Sequence, residues 1–236
     1  MFFPAYPLMT IYFISGLGAD ERAFQKIKVP DGYEIRHIPW EPVREDETLE
    51  SYARRLSAFI DSSKPFMLAG LSFGGIVAAE ISKILKPERL ILFSSVMTCD
   101  ELPKVYRAAG RSKSERLLPD GFITLFRPFL YWFLSPLDKE SRSLIEAFLR
   151  TNDPVFSRWA LGQISRWQNK EIFEPHLHIH GSQDRIFPSN LTQADYLIKG
   201  GGHFSIITHA DEINQLLKKE LQLNEGTEKL IKRGSA

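Results

Sequence analysis

The sequence predicts an α/β protein built on a mostly parallel sheet of about six strands. Three observations carry this. Apolar runs at residues 10–14 (TIYFI), 65–69 (PFMLA) and 89–93 (RLILF) are nearly continuous, as expected of strands covered on both faces. Segments with helical spacing lie between most of the runs, and short strand-helix joins favour right-handed crossovers. The length of 236 residues, with 43% apolar and 25% charged, is that of one large domain or of one domain with an insertion. That mix excludes a disordered or collagen-like chain. A chain this long buries roughly 70–75% of its unfolded surface, so it needs no disulfide or metal to fold.

Three further runs complete the strands. Residues 33–38 (YEIRHI) alternate and suit a position nearer an edge, and 175–180 (PHLHIH) and 194–198 (ADYLI) follow later. Asp20 can cap a helix over 21–27. Residues 48–60 place Leu49, Tyr52, Ala53, Leu56, Phe59 and Ile60 on one helical face. Residues 75–85 are small and apolar, and Pro87 closes them. Residues 209–221 turn Ile213, Leu216, Leu217 and Leu221 inward, with acids in the first turn and lysines later, matching the helix dipole.

The interval 100–174 breaks the alternation. It predicts no strand and four helical pieces, at 102–118, 121–134, 138–150 and 154–167. It reads as a helical insertion above the sheet rather than an independent domain. The chain therefore divides into a core of 1–99 and 175–223, an inserted 100–174, and a polar tail, 224–236, expected to be flexible.

Lys plus Arg number 30 against 29 Asp plus Glu, a formal net charge of +1. Nothing in that balance calls for nucleic acid or an anionic membrane. A single cysteine, Cys99, fits a reducing compartment. The opening MFFPAYPLM lacks a basic n-region and contains two prolines, a poor signal peptide. Arg127, Pro128 and Pro136 interrupt the apolar stretch 122–137 short of a span of roughly 20 residues. A cytoplasmic monomer or homodimer, with no membrane partner, is expected.

The strongest chemical signal is Gly70-Leu71-Ser72-Phe73-Gly74, between a buried strand and a small-residue helix. That is the context of a nucleophile elbow, a strained turn that lifts a serine hydroxyl above the sheet. Glycines two residues either side relieve Cβ clashes, and the helix N-terminus adds positive potential. A glycine-rich turn with an incidental serine is the plainer alternative. Ser15-Gly16-Leu17-Gly18 follows the first strand. The backbone N–H groups of Leu17 and Phe73 are candidates for an oxyanion hole; an ordinary tight turn is the rival reading of this loop.

With these motifs the chain resembles the α/β-hydrolase superfamily over nearly its whole length. Members carry His-Gly-x-Gly after the first of these strands; here Ser15 stands at the histidine position. They place an acid in His-Gly-x-x-Asp-x-Ile-x-Pro, and this chain reads His180-Gly181-Ser182-Gln183-Asp184-Arg185-Ile186-Phe187-Pro188. They place a histidine in Gly-x-His-Phe, and this chain reads Gly201-Gly202-His203-Phe204. The resemblance implies Ser72 as nucleophile, His203 as base and then acid, and Asp184 as the residue that orients the imidazole. Asp100, after the fourth strand, is the rival acid; Asp195 sits near the wrong end of its strand. There is no room before Thr10 for the family's first two strands, so a trimmed six-stranded sheet with a helical cap insertion is implied. With strand order 2-1-3-4-5-6, the switch point lies between strands one and three, beside both glycine-rich loops.

The resemblance implies a serine hydrolase without cofactor, cleaving a carboxylic ester or thioester of a small to medium, largely apolar molecule. Epoxide hydrolases and haloalkane dehalogenases of this fold need an acid where Ser72 stands. Trp132, Trp159 and Phe129 are candidate substrate contacts. Arg107, Arg111, Lys113, Arg116 and Arg127 could meet an anionic group, but a solvated face is the commoner role for such residues. Two rivals stay open. His176, His178 and His180 alternate on one strand at zinc-ligand spacing, which admits a metal-dependent hydrolase. The fold also hosts non-catalytic binding or receptor-like modules.

Overall fold

The computed structural model describes residues 9–112 and 127–234. Residues Lys113, Arg116, Phe122 and Phe126, and parts of the two helices expected over 102–118 and 121–134, lie outside them. The six expected strands form: β1 (Met9–Ile14), β2 (Tyr33–Ile38), β3 (Phe66–Leu71), β4 (Arg89–Phe93), β5 (His176–Gly181) and β6 (Tyr196–Ile198). They make one sheet in the order β2-β1-β3-β4-β5-β6. Every neighbouring pair is parallel. The order reverses between β1 and β3, so their carboxyl ends flank the crevice where such sheets bind ligands.

The alternation of side chains explains the layers. Tyr12 and Ile14 of β1, Leu68 of β3 and Leu90 and Leu92 of β4 face one way, and pack with α1 (Leu49–Leu56) and α2 (Phe73–Ile84). Ile11, Phe13, Met67, Ala69, Leu71, Ile91, Phe93, Leu177 and Ile179 face the other way. There they meet Phe24, a short helix α7 (Ser205–Thr208), and Ile213, Leu217 and Leu221 of the terminal helix α8 (Ala210–Gly234). Strands buried on both faces show the continuous apolar runs read from the sequence.

Several local details differ from the sequence expectation. Asp20 caps a short 3₁₀ turn, Glu21–Phe24, rather than a helix to residue 27. Helix α1 ends at Leu56 and a 3₁₀ turn, Ser57–Phe59, follows. The tighter winding carries Phe59 off the buried face, and its side chain is 46% exposed. Helix α2 starts two residues before the expected residue 75, because a single residue, Ser72, makes the whole turn from β3. Helix α8 continues to Gly234, through the expected polar tail. The helix-favouring Glu, Lys and Leu after residue 226 suit that extension.

Between β4 and β5 there is no strand among the described residues. The interval holds α3 (Lys104–Ser112), α4 (Arg127–Leu134), α5 (Lys139–Thr151) and α6 (Pro154–Arg166). Asp138 caps α5 through the Ser141 N–H, and Asp153 caps α6 ahead of Pro154. Helices α5 and α6 are tied to the core on opposite sides. Leu144, Ile145 and Phe148 join one apolar cluster, whereas Phe156, Ala160 and Ile164 join the other. Among the described residues, no helix is long and apolar enough to cross a membrane.

Candidate active site

Ser72 ends β3 with φ 53° and ψ −121°, a conformation that a non-glycine residue adopts at a cost of roughly 1–3 kcal/mol. The surrounding backbone holds it there. The Ser72 N–H donates to Phe93 O at 3.0 Å, and Ser72 O accepts from Gly75 N at 2.9 Å. The Ser95 hydroxyl donates to the same oxygen at 2.7 Å. Gly74 is required by contact: a Cβ there would stand 2.3 Å from the carbonyl oxygens of both Ile14 and Ser15. The elbow is thereby pressed against the end of β1.

Three residues separated in sequence meet at this turn. His203 Nε2 lies 2.8 Å from Ser72 Oγ, and His203 Nδ1 lies 2.7 Å from Asp184 Oδ2. The other oxygen of Asp184 accepts the N–H groups of Ile186 and Phe187 at 2.8 and 2.9 Å. Burial alone raises the Asp184 carboxyl. The His203 charge and hydrogen bond, with His180 and the Phe187 N–H, outweigh it and hold the group below the usual carboxylate range. The rival acids lie elsewhere. Asp100 is exposed and paired with Arg107 at 3.3 Å. Asp195 accepts the His178 backbone N–H at 2.7 Å and so pins strand β5.

The loop after β1 is also fixed. Ser15 Oγ donates to Ala19 O at 2.7 Å, closing the loop at the position where a histidine is usual. Gly16 O accepts from Ala19 N at 3.0 Å and from the indole N–H of Trp40 at 3.2 Å. In a trans peptide the carbonyl and the following N–H point to opposite sides, so the Leu17 N–H faces away from these partners. Phe73 is the first residue of α2, and its N–H has no partner within the helix.

A cavity of about 750 Å³ opens on Ser72 and His203. Its floor includes Gly16, Leu17, Gly18 and Phe73, and helices α3 to α6 supply Tyr106, Phe129, Leu134, Phe148, Leu149 and Ile164. Phe129, one expected contact, lies in the lining. Trp132 and Trp159 are not among the residues of the lining. Trp132 is 55% exposed, with the Arg185 guanidinium 4.6 Å from its ring centroid. Trp159 donates its indole N–H to Glu47 O at 2.7 Å and packs on Tyr52, tying α6 to the start of α1. Arg107 and Arg111 are likewise absent from the lining.

The alternating histidines of β5 are committed to local bonds. His176 Nδ1 lies 3.0 Å from Phe173 O, and His178 Nε2 lies 3.2 Å from His180 Nδ1. His180 Nε2 lies 2.7 Å from Phe187 O. Burial, reinforced by His180 and His176, pushes His178 down to about 3. Burial also lowers His180, against the opposing pull of Asp184. Among the described residues, no group of three or more His, Cys, Asp and Glu side chains is placed to hold a metal ion.

No family model and no curated protein sequence matches the chain. Solved structures do. A thermophilic esterase from Thermogutta terrifontis superposes with a TM-score of 0.73 at 16% identity, over 91% of this chain and 89% of that one. MenH from S. aureus superposes with a TM-score of 0.69 at 20% identity, over 89% and 91%. A lipase-esterase related protein from Clostridium acetobutylicum gives 0.65 at 17% identity, over 88% and 92%. With a six-stranded parallel sheet in this order and helices on both faces, the chain has the α/β-hydrolase fold.

Proposed function

We infer that the protein is a serine hydrolase that cleaves a carboxylic ester or thioester of a small to medium, largely apolar molecule. The observation that carries this is the unbroken line Ser72–His203–Asp184, with Ser72 and His203 open to the apolar cavity. A binding module has no use for a strained serine aligned on a carboxylate-held imidazole. Similarity in fold to an esterase and to a lipase-esterase related protein agrees with this reading.

In this reading Ser72 Oγ attacks the substrate carbonyl and its proton passes to His203 Nε2. Asp184 fixes the tautomer with the proton on Nδ1 and stabilises the imidazolium. The N–H groups of Leu17 and Phe73 face the oxygen on which charge develops. The intermediate collapses to an acyl-serine, and the leaving alcohol or thiol takes the proton from His203. Water, deprotonated by the same nitrogen, then releases the acid and restores Ser72. Residues 100–174 act as a cap that excludes water and limits chain length.

Rates with p-nitrophenyl esters of increasing chain length, below and above their solubility limits, test this. Saturation below the limit is expected, with Ser72→Ala reducing kcat on the order of 10³-fold or more while the circular dichroism is unchanged. Full activity in Ser72→Ala would overturn the assignment. A rate that rises only once an interface appears would instead indicate a lipase.

A further inference from the structure

Among the described residues, a ligand in the cavity meets mostly hydrocarbon: apart from Ser72 and His203 they supply three polar side chains, Tyr106, Asn152 and Ser165, and none of these is charged. Two of them are already used. The Tyr106 hydroxyl donates to Ile186 O at 3.0 Å, and the Ser165 hydroxyl donates to Gly162 O at 2.9 Å. Asn152 differs. Its Oδ1 accepts the hydroxyl of buried Ser157 at 2.7 Å, and its amide nitrogen has no hydrogen-bond partner among the described residues.

The position of this amide is set from two sides. Asn152 lies at the junction where α5 ends and Asp153 begins to cap α6. It also packs onto the loop after β1: a Cβ at Gly18, where φ is +71°, would stand 2.9 Å from Asn152 Oδ1. Glycine there permits both the left-handed backbone and the approach of the amide. The Asn152 amide therefore sits beside the loop that carries the Leu17 N–H, and the residue lines the space that Ser72 faces.

We propose that Asn152 is a specificity-determining residue whose Nδ2 donates to a second oxygen of the substrate, an ether, keto, hydroxyl or additional ester oxygen. This rests on the serine esterase reading and narrows its substrate class. The substrate is a neutral ester, apolar along most of its length, with one further acceptor at the distance of Asn152. An all-carbon chain offers this donor no acceptor, whereas a chain with an oxygen at the right position does. Among the described residues, no cationic side chain lines the cavity to meet a carboxylate or phosphate.

The test uses two sets of p-nitrophenyl esters, all-carbon acyl chains and the same chains with one methylene replaced by oxygen at successive positions. A parallel set of acetates carries the oxygen in the alcohol chain. kcat/KM is measured for the wild type, Asn152→Leu and Asn152→Asp, and intrinsic ester reactivity cancels when each oxygen-to-carbon ratio is compared between proteins. The expected result is one position at which the oxygen-to-carbon ratio falls about fivefold or more in Asn152→Leu relative to the wild type. Asn152→Asp, close in size but without donors, loses the same preference and serves should the leucine variant not fold. Ratios that are equal in wild type and variant at every position overturn this inference and leave the esterase reading standing. Failure of the wild type to cleave any member of the sets overturns the esterase reading, and this inference with it.

Discussion

His180 and Asp184 face each other with no exposed side-chain surface on either, Nε2 3.3 Å from Oδ2. The nearer partner of that nitrogen is Phe187 O, a carbonyl that can only accept, so in a neutral ring the proton sits on Nε2. Nδ1 is then left to accept from His178 Nε2. The imidazole thus stands beside the carboxylate that holds His203, while its own N–H is bonded to Phe187 O.

Replacing the His180 ring with an apolar one removes its bond to Phe187 O, and so part of the hold on the residue whose N–H bonds to Asp184 Oδ1. The expected outcome in His180→Phe is a kcat lower by about fivefold, from one lost hydrogen bond. Steady-state rates with a p-nitrophenyl ester check this. A kcat equal to that of the wild type would indicate that His180 only fills space.

The buried His178 makes folding sensitive to acid. Its folded value of about 3 lies below the ordinary 6.5, so the unfolded chain binds more protons between those two values. Its contribution to stability is complete above about pH 6.5 and is lost as the pH falls toward 3. The local slope is about 1.4 kcal/mol per pH unit within that window. Asp184, held below its ordinary value, adds a further loss at the acid end. Urea unfolding at pH 7 and pH 5 should show a smaller loss in His178→Gln than in the wild type. Equal losses would contradict a neutral buried ring.

Asp184→Asn removes the charge that sets the His203 tautomer, and kcat should fall roughly 10³–10⁴-fold. Asp100→Asn, at an exposed ion pair with Arg107, should change it little. Dialysis against EDTA should leave the rate intact, because the β5 histidines already bond to backbone oxygens and to each other. Loss of activity restored by zinc would favour the metal reading of that strand.

Much of this architecture was legible before any coordinates. Strands buried on both faces are apolar along their length, so β1, β3 and β4 stood out at once. Gly70, Ser72 and Gly74 were readable because a strained turn admits few residues. The helical boundaries were less so. Phe59 has a core-like position in the pattern, and only the change to 3₁₀ winding after Leu56 exposes it. Trp132 and Trp159 have the composition of pocket residues, yet one lies under Arg185 and the other braces α6 against Glu47. Asn152 and Trp40 carry no local motif. Their relation to the β1 loop arises only when α5, α6 and the segment after β2 converge on Gly16 and Gly18.

The central claim is that Ser72 is an activated nucleophile. Treatment with a fluorophosphonate, followed by intact-mass measurement and peptide mapping, tests it most directly. One adduct is expected, on the peptide containing Ser72, formed much more slowly in His203→Ala and absent in Ser72→Ala. An adduct that persists undiminished in Ser72→Ala, or no adduct in the wild-type protein, would contradict the account.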